Sequence, residues 1–290
     1  AGTYLISSPG IQLTTNYQGL TGSGPTATKF IYNDTTGCAF NMAAGSGLIV
    51  QGFTIDRTAG VPISGCGIGG AGPINDTSFY NIHVSNQYNG FNFPPCYYCT
   101  ISSIKGDNNY NDGVRFTATN AHPVSQYFAS KMSASFNNGW GFKIDTTGMT
   151  QGVTFLAWDM VNTFANVSGA LSAVTTSNAP INDLKLSNVN FSSDNATLVQ
   201  LQTYGIHNSI IGGLIEVSGS VASGRGAAIP ASSLGHGISL KNNIEINLSG
   251  LFIRTNSQHG IVSDGTDTNV TISGSMISAN GTATVNTDRK

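Results

Sequence analysis

The chain has 290 residues with a formal net charge of −2, and only 9% of them are charged, against about a quarter in ordinary soluble domains. Its surface is therefore built from Asn, Ser, Thr and Gly, and its basic residues are scattered singly, so nothing draws it to nucleic acid or to an anionic membrane. No run approaches the roughly 18 apolar residues of a membrane span, and the first residues lack the charged-then-apolar layout of a signal peptide. The start at Ala1 without Met and the end in TATVNTDRK are expected of a segment cut from a longer polypeptide.

In chain order, the opening GTYLISSPGIQLTTNYQGLTGSGPTATKFIYND leads to a first clear strand, LIVQGFTID (48 to 56). After an excursion at 61 to 77 come FYNIHVSN (79 to 86), QYNGFNF (87 to 93), a second excursion FPPCYYC (93 to 99), ISSIKGDN (101 to 108) and NDGVRF (111 to 116). FASKMSASF (128 to 136), FNNGWGFKI (136 to 144), FLAWDMVN (155 to 162), LKLSNVNFSS (184 to 193) and NSIIGGLIEV (208 to 217) follow. A charge-poor loop at 218 to 237, expected on one face or at a subunit contact, precedes INLSGLFIRT (246 to 255), SQHGIVSD (257 to 264) and VTISGSMIS (270 to 278).

These segments share one grammar: polar residues, a Gly, then apolar residues at alternate positions, with strand starts 22, 27 and 27 residues apart from Phe79 to Phe155. Short strands rich in Val, Ile, Phe and Thr without helical periodicity exclude helical solenoids. A unit this small cannot bury its apolar face alone, whereas stacking copies buries a continuous core. The expected fold is all-β, a single-stranded right-handed parallel β-helix of about nine to ten coils, forming a rod about 40 Å long at ~4.8 Å per coil. Residues 1–290 then form a single domain, with 1–46 as the opening region and first coils and 47–280 as regular coils with loop insertions. The recurrent corner is where each coil turns, with Gly supplying backbone angles closed to other residues and Asn tolerating left-handed ones.

The opening GTYLISSPG with its SGPTATKF turn, and the coils NIHVSN with NGFNF and NLSGLFIRTN with HGIVSD, resemble the pectate-lyase-like right-handed β-helix superfamily over nearly the whole chain. Within it, the Gly-, Asn- and Ser-rich, charge-poor composition is most similar to bacteriophage tailspikes and tail fibres. The resemblance implies a homotrimer on a virion tail, docked to other phage tail proteins, that binds and in some members cleaves bacterial capsular polysaccharide or lipopolysaccharide. A secreted microbial polysaccharide lyase or hydrolase and a purely structural shaft are the alternatives. Ile215, Phe252 and Met276 are expected to point outward, as apolar columns that a trimer would cover.

Stacking aligns residues one repeat apart. With Val50, Phe79, Ile101 and Phe155 as equivalent anchors, Thr54, His83, Lys105 and Asp159 share one outward column, and Asp56, Ser85 and Asp107 another. Glycoside hydrolysis needs two carboxyl groups, ~5 Å apart for retention and up to ~9.5 Å for inversion. Asp107 and Asp112 in GDNNYNDG, with Arg115 just beyond, are the leading pair, and Asp56 lies about two coils, or 10 Å, from Asp107; as residues of Asn- and Gly-rich turns they serve equally as turn formers. A lyase instead needs a base for the proton beside a uronate carboxylate and a positive group for the anion, for which His83, Lys105 and Arg115 stand ready unless they are merely solvated. Sugar stacking points to Trp140, with Tyr110, Tyr88, Tyr97 and Tyr98 nearby, while Trp158 reads as core.

No metal or other cofactor is implied: the calcium-binding acidic cluster of pectate lyases has no comparably dense counterpart, and Asp264 and Asp267 in DGTD read as a turn. Of the four cysteines, Cys38, Cys66, Cys96 and Cys99, only the last two form a CxxC, too little for paired zinc knuckles. Free thiols packed in the core are the expectation, with two disulfides the alternative for a secreted enzyme.

Overall fold

The computed structural model describes residues 1–14, 16–70, 72–146, 148–218, 235–264 and 266–281. The chain winds as a parallel solenoid, its described strands forming a 13-stranded sheet (sheet A), a 10-stranded sheet (sheet B) and a short 3-stranded sheet (sheet C). Successive coils pair in parallel, so Ser78–Ser85 lies between Ile49–Asp56 and Cys99–Asp107 in sheet A, and sheet B repeats the arrangement across the core. The coils begin within the opening region, where Gly2–Ile6 pairs with Thr28–Tyr32 and Ile11–Leu13 with Cys38–Met42.

The interior is an aromatic and aliphatic column. Phe93, Phe116, Tyr127, Phe142 and Trp158 are fully or almost fully buried, with ring centroids 5.2 Å apart between Phe93 and Phe116 and 4.9 Å between Phe116 and Trp158. Burying each such ring contributes roughly 1.5–3 kcal/mol, and neighbouring coils share every contact. That shared burial lets units of this size persist.

Two backbone columns set which way side chains face. Midway along the sheet A strands, Gly52, Asn81, Ser103, Lys131, Met160, Asn188 and Gly212 all adopt left-handed φ between 51° and 76°. Each kinks its strand at the same rung without shifting the register, so Phe79 and Ile82 both point inward while Tyr80 and Asn81 both face outward. At the end of the strand a second left-handed residue, such as Asn86, Asn108, Phe136, Ala165 or Ser193, is followed by a buried polar one: Gln87, Asn109, Asn137, Asn166, Asp194. The amides of this ladder bond coil to coil: the backbone N–H and Nδ2 of Asn109 donate to Asn137 Oδ1 at 2.9 and 3.0 Å, and those of Asn137 donate to Asn166 Oδ1 at 3.0 and 2.9 Å.

The corner glycines therefore play a different part from the one expected. Gly90 and Gly113 keep ordinary φ; a Cβ on Gly90 would lie 2.4 Å from the Gly113 carbonyl oxygen, and one on Gly113 would lie 2.7 Å from Asn137 Nδ2. They admit the neighbouring coil, while Asn and other residues carry the left-handed angles.

Several sequence expectations are corrected here. Phe155 is no anchor: it sits at a left-handed corner with φ 59°, and the register runs Val50, Phe79, Ile101, Ala129, Trp158. Asp159 accordingly leaves the His83 column and pairs with Ser130. Ile215 points into the core at 0% exposure, whereas Phe252 and Met276 are outward at 52% and 47%. The excursions at 61 to 77 and 93 to 99 carry the sheet B strand Cys66–Gly70 and the sheet C strands Ile74–Asn75 and Cys96–Tyr97, making them parts of the coils rather than insertions. The cysteines are not free thiols: Cys38 and Cys66, partners on adjacent rungs with Cα atoms 4.3 Å apart, form one disulfide, and Cys96 and Cys99 form the other. Thiols 28 residues apart in sequence meet because stacking superposes them. The loop at 218 to 237 lies largely outside the described residues.

Candidate functional site: a charged groove on sheet A

The outward face of the first sheet A coils gathers most of the candidate chemistry. Lys29, Thr54, His83 and Lys105 stand in one column, each the parallel partner of the next. Beside it run Asp56, Ser85 and Asp107: Ser85 donates to Asp56 Oδ1 at 3.2 Å and pairs in register with Asp107. Strand alternation fixes this layout, because Ile82, Val84, Ile104 and Gly106 turn inward and so point His83, Ser85, Lys105 and Asp107 the other way. Pro25 and Thr26 wall one side, tied down where Thr54 Oγ1 donates to the Pro25 carbonyl at 2.8 Å. A groove of about 340 Å³ remains between them, Asn81, His83, Ser103 and Lys105.

Charges are unequally settled within it. Asp56 is fully engaged: Lys29 Nζ lies 2.7 Å away, and Ser85, Asn86 and the Arg57 N–H all donate to it. Burial alone would raise its pKa, but the donors of Asn86, Lys29 and Arg57 outweigh burial and hold the carboxyl below its usual range. Asp107 goes the other way; burial raises it, only partly opposed by His83 and by the Ser135 N–H, which donates at 3.0 Å. His83 is lowered, chiefly by burial and then by Lys105 and Lys29, against the pull of Asp107 and Asp56. Its buried Nε2 has no hydrogen-bond partner and lies 3.6 Å from Asp107 Oδ2. A neutral imidazole beside a carboxylate and under a lysine is a base whose charged form, once made, has a counter-ion waiting.

The other sequence candidates lie elsewhere. Asp112 is 1% exposed and accepts the Trp140 backbone N–H at 2.9 Å; burial raises it, and its charged neighbours are Lys143, Arg115 and Asp145. It holds the corner to the next coil, and the structure does not bring it together with Asp107. Arg115 stands on the outer face of sheet B, 3.3 Å from Asp145. Tyr88 and Tyr110 are consecutive members of the corner column, half-buried, with the Tyr110 N–H donating to the Gln87 carbonyl. Trp140 is half-exposed on sheet B, while Trp158 is core, as its alternation required. Asp264 accepts the Thr266 N–H and serves its own turn, whereas Asp267, read from the sequence as a turn residue, accepts the N–H and Nδ2 of Asn243 on the neighbouring coil and so joins the coil-to-coil ladder.

Sequence reasoning missed Lys29, Asn86, Pro25 and Thr26. Lys29 belongs to the opening region, and only once that region is itself a coil does Lys29 fall into line with His83. The SGPTATKF run carried the signal, since its last residues alternate like any later strand.

By fold, the chain is a right-handed parallel β-helix. Its architecture is similar to the A-module of the Azotobacter vinelandii mannuronan C-5 epimerase AlgE4, at TM-score 0.60 and 15% identity over 98% of this chain and 90% of that one. It is also similar to the AlgE6 A-module of that organism (TM-score 0.50, 12% identity, 97% and 90% covered) and, with less overlap, to the Dettilon tailspike protein (TM-score 0.42, 11% identity, 93% and 61% covered). No protein-family model and no curated protein matches the sequence. At such identities the shared feature is the fold.

Proposed function

We propose that this β-helix binds an anionic polysaccharide across sheet A and removes the proton next to a uronate carboxylate, as a lyase or epimerase does. The observation that carries the reading is that His83 and Lys105 line one groove with Asp107 3.6 Å behind the imidazole, while Asp112 stands elsewhere. Lys105, one rung from His83, balances the substrate carboxylate and the charge that develops on it. With Nε2 directed at Asp107, Nδ1 of His83 takes the C5 proton, and Asp107 stabilises the imidazolium. Return of a proton from water to the opposite face inverts the centre; loss of the C4–O bond instead leaves a C4=C5 double bond, the departing oxygen taking a proton from water, and in either case the imidazolium gives its proton to the hydroxide that remains. Hydrolysis is less well served: Asp56 and Asp107 stand two rungs apart, about 10 Å on rung spacing, at the outer limit for an inverting pair, and Asp56 is already saturated with donors.

The glycan, on this reading, is capsular polysaccharide or lipopolysaccharide of a bacterial surface, and the setting is extracellular, as a secreted enzyme or as a trimeric spike on a virion tail held by other tail proteins. The two disulfides support a place outside a reducing cytoplasm. The stacked outward residues Leu214, Phe252 and Met276 support assembly with further copies. The test is incubation with bacterial surface polysaccharides and with polyuronates, following reducing ends, unsaturated-uronate absorbance and, by proton NMR, C5 configuration. Absorbance or inversion lost in His83→Ala and Lys105→Ala is expected. Reducing ends without either signal, lost in Asp107→Asn and Asp56→Asn, would replace the reading with hydrolysis, and a monomer in light scattering would remove the spike.

A further inference from the structure

Sheet B carries an outward face that the sheet A chemistry leaves unused. Trp140, at the start of Trp140–Asp145, is the rung partner of Gly169. A Cβ at Gly169, whose φ is +137°, would lie 2.5 Å from Trp140 Cζ3, so the glycine seats the indole against the sheet and leaves the ring half-exposed. The ring borders a groove of about 220 Å³ whose remaining walls include Thr197, Gln200 and Ser239. Three residues along the same strand stands Lys143, and its rung partners are Arg115 on one side and Ser172 on the other, with Gln200 and Ser239 continuing the column. Asp145 lies 3.3 Å from both Lys143 and Arg115, and the Asp112 carboxyl is buried behind them; the two cations, 28% and 27% exposed against 19% for Asp145, are what the strip presents outward. Arg115 Nε is buried there without a hydrogen-bond partner.

We infer that this strip is a second glycan-binding site, for an anionic polysaccharide lying along the rod. An aromatic ring faces the apolar side of a pyranose, Gln200 and Ser239 meet its hydroxyls, and Lys143 with Arg115 meets acidic substituents. Rungs ~4.8 Å apart are about one sugar unit apart, so a chain running along the axis meets one residue of each column per sugar. The site shares no residue with the His83 groove and stands or falls apart from the proposed chemistry: it would tether a polymer on one side of the rod while the other side acts on it.

The test is binding of polygalacturonate and alginate oligosaccharides, with dextran oligosaccharides as the neutral comparison, by calorimetry and by tryptophan fluorescence. Trp158 is buried, so Trp140 reports the site. The expected result is a fluorescence change with the acidic probes, affinity at least tenfold weaker in Trp140→Ala and in the exposed Gln200→Ala, a flatter salt dependence in Lys143→Gln, and no change in affinity at this site in His83→Ala. Thermal midpoints confirm that the variants fold, and Gln200→Ala, a solvent-facing truncation, answers if Trp140→Ala does not fold. Wild-type protein that binds neither acidic probe, or binds them as tightly after Gln200→Ala and Trp140→Ala, overturns the inference. Dextran bound equally well, and indifferent to Lys143→Gln, overturns the anionic specificity.

Discussion

Replacing Asp194 by Asn should make the rod more stable at neutral and alkaline pH, against the usual direction of core substitutions. Asp194 is fully buried at the ladder position that Asn109, Asn137 and Asn166 fill in earlier coils; its Oδ1 accepts the Asn166 N–H at 2.6 Å and Nδ2 at 2.9 Å, and its Oδ2 accepts the Thr163 hydroxyl at 3.0 Å. Burial outweighs those donors and raises the carboxyl from 3.8 to about 7. Between those two values the folded protein holds a proton that the unfolded chain has lost, so stability falls as pH rises through the window and the loss is complete above about 7. At 1.36 kcal/mol per pH unit, the span from 3.8 to about 7 amounts to about 4 kcal/mol. Asn keeps the accepting oxygen and turns an amide toward Thr163, whose hydroxyl accepts as readily as it donates. Thermal midpoints of both proteins from pH 4 to pH 8, at one scan rate, test this. They should converge at pH 4 and separate with rising pH, reaching roughly 8 °C at about 2 °C per kcal/mol. Curves that stay parallel across the range would refute the assignment of this pH dependence to Asp194.

Other consequences are cheaper to check. Activity through His83 should rise with pH along an acid limb whose midpoint lies below that of an ordinary histidine, because burial and the neighbouring lysines favour the neutral base; a limb at or above 6.5 argues against His83. Cys38→Ser with Cys66→Ser, opening a loop of 28 residues, should cost about 3–4 kcal/mol, read as a drop in urea midpoint that reductant reproduces in the parent protein. Gly90→Ala should destabilise by about 1–3 kcal/mol, since its Cβ would meet the Gly113 carbonyl oxygen at 2.4 Å, whereas Gly19→Ala, with nothing within 4 Å, should stay within about 0.5 kcal/mol; equal effects would contradict the close-approach account.

What the sequence disclosed depends on which physics each feature obeys. The solenoid was legible because every coil must bury the same face and turn at the same corners, and repetition survives substitution. The register from Val50 through Phe79 to Ile101 was legible for the same reason, and with it the pairing of His83 with Lys105 and of Ser85 with Asp107. It breaks at Phe155, which stands at a left-handed corner three residues before the rung, because the rungs that follow Ile101 are Ala129 and then Trp158. The kink at Lys131 and Met160 was equally invisible, since neither residue announces a left-handed backbone. Asp107 and Asp112, five residues apart, looked like a pair; the corner between them turns one to sheet A and the other toward Trp140. The Cys38–Cys66 disulfide depends on superposition of coils, and cysteine spacing alone does not encode that.

The ladder also gives the rod a direction. From Asn109 to Asn166 every buried amide donates forward, to an oxygen supplied by the following coil, and Asn256 donates likewise to Asn280. At the other end Arg57, held by the Asn33 carbonyl, reaches Gln87 Oε1 at 3.4 Å and closes the series from behind. The side-chain amides also donate backward, Asn137 Nδ2 to the Gly106 carbonyl and Asn166 Nδ2 to the Ala134 carbonyl, both at 2.9 Å, so removing the preceding coil strands one buried donor, whereas removing the following coil strands two, the backbone N–H and Nδ2. Trimming is thus asymmetric in degree, costing more from the carboxyl end than from the amino end, and a winding chain completes each coil's polar interior only when the next one closes over it.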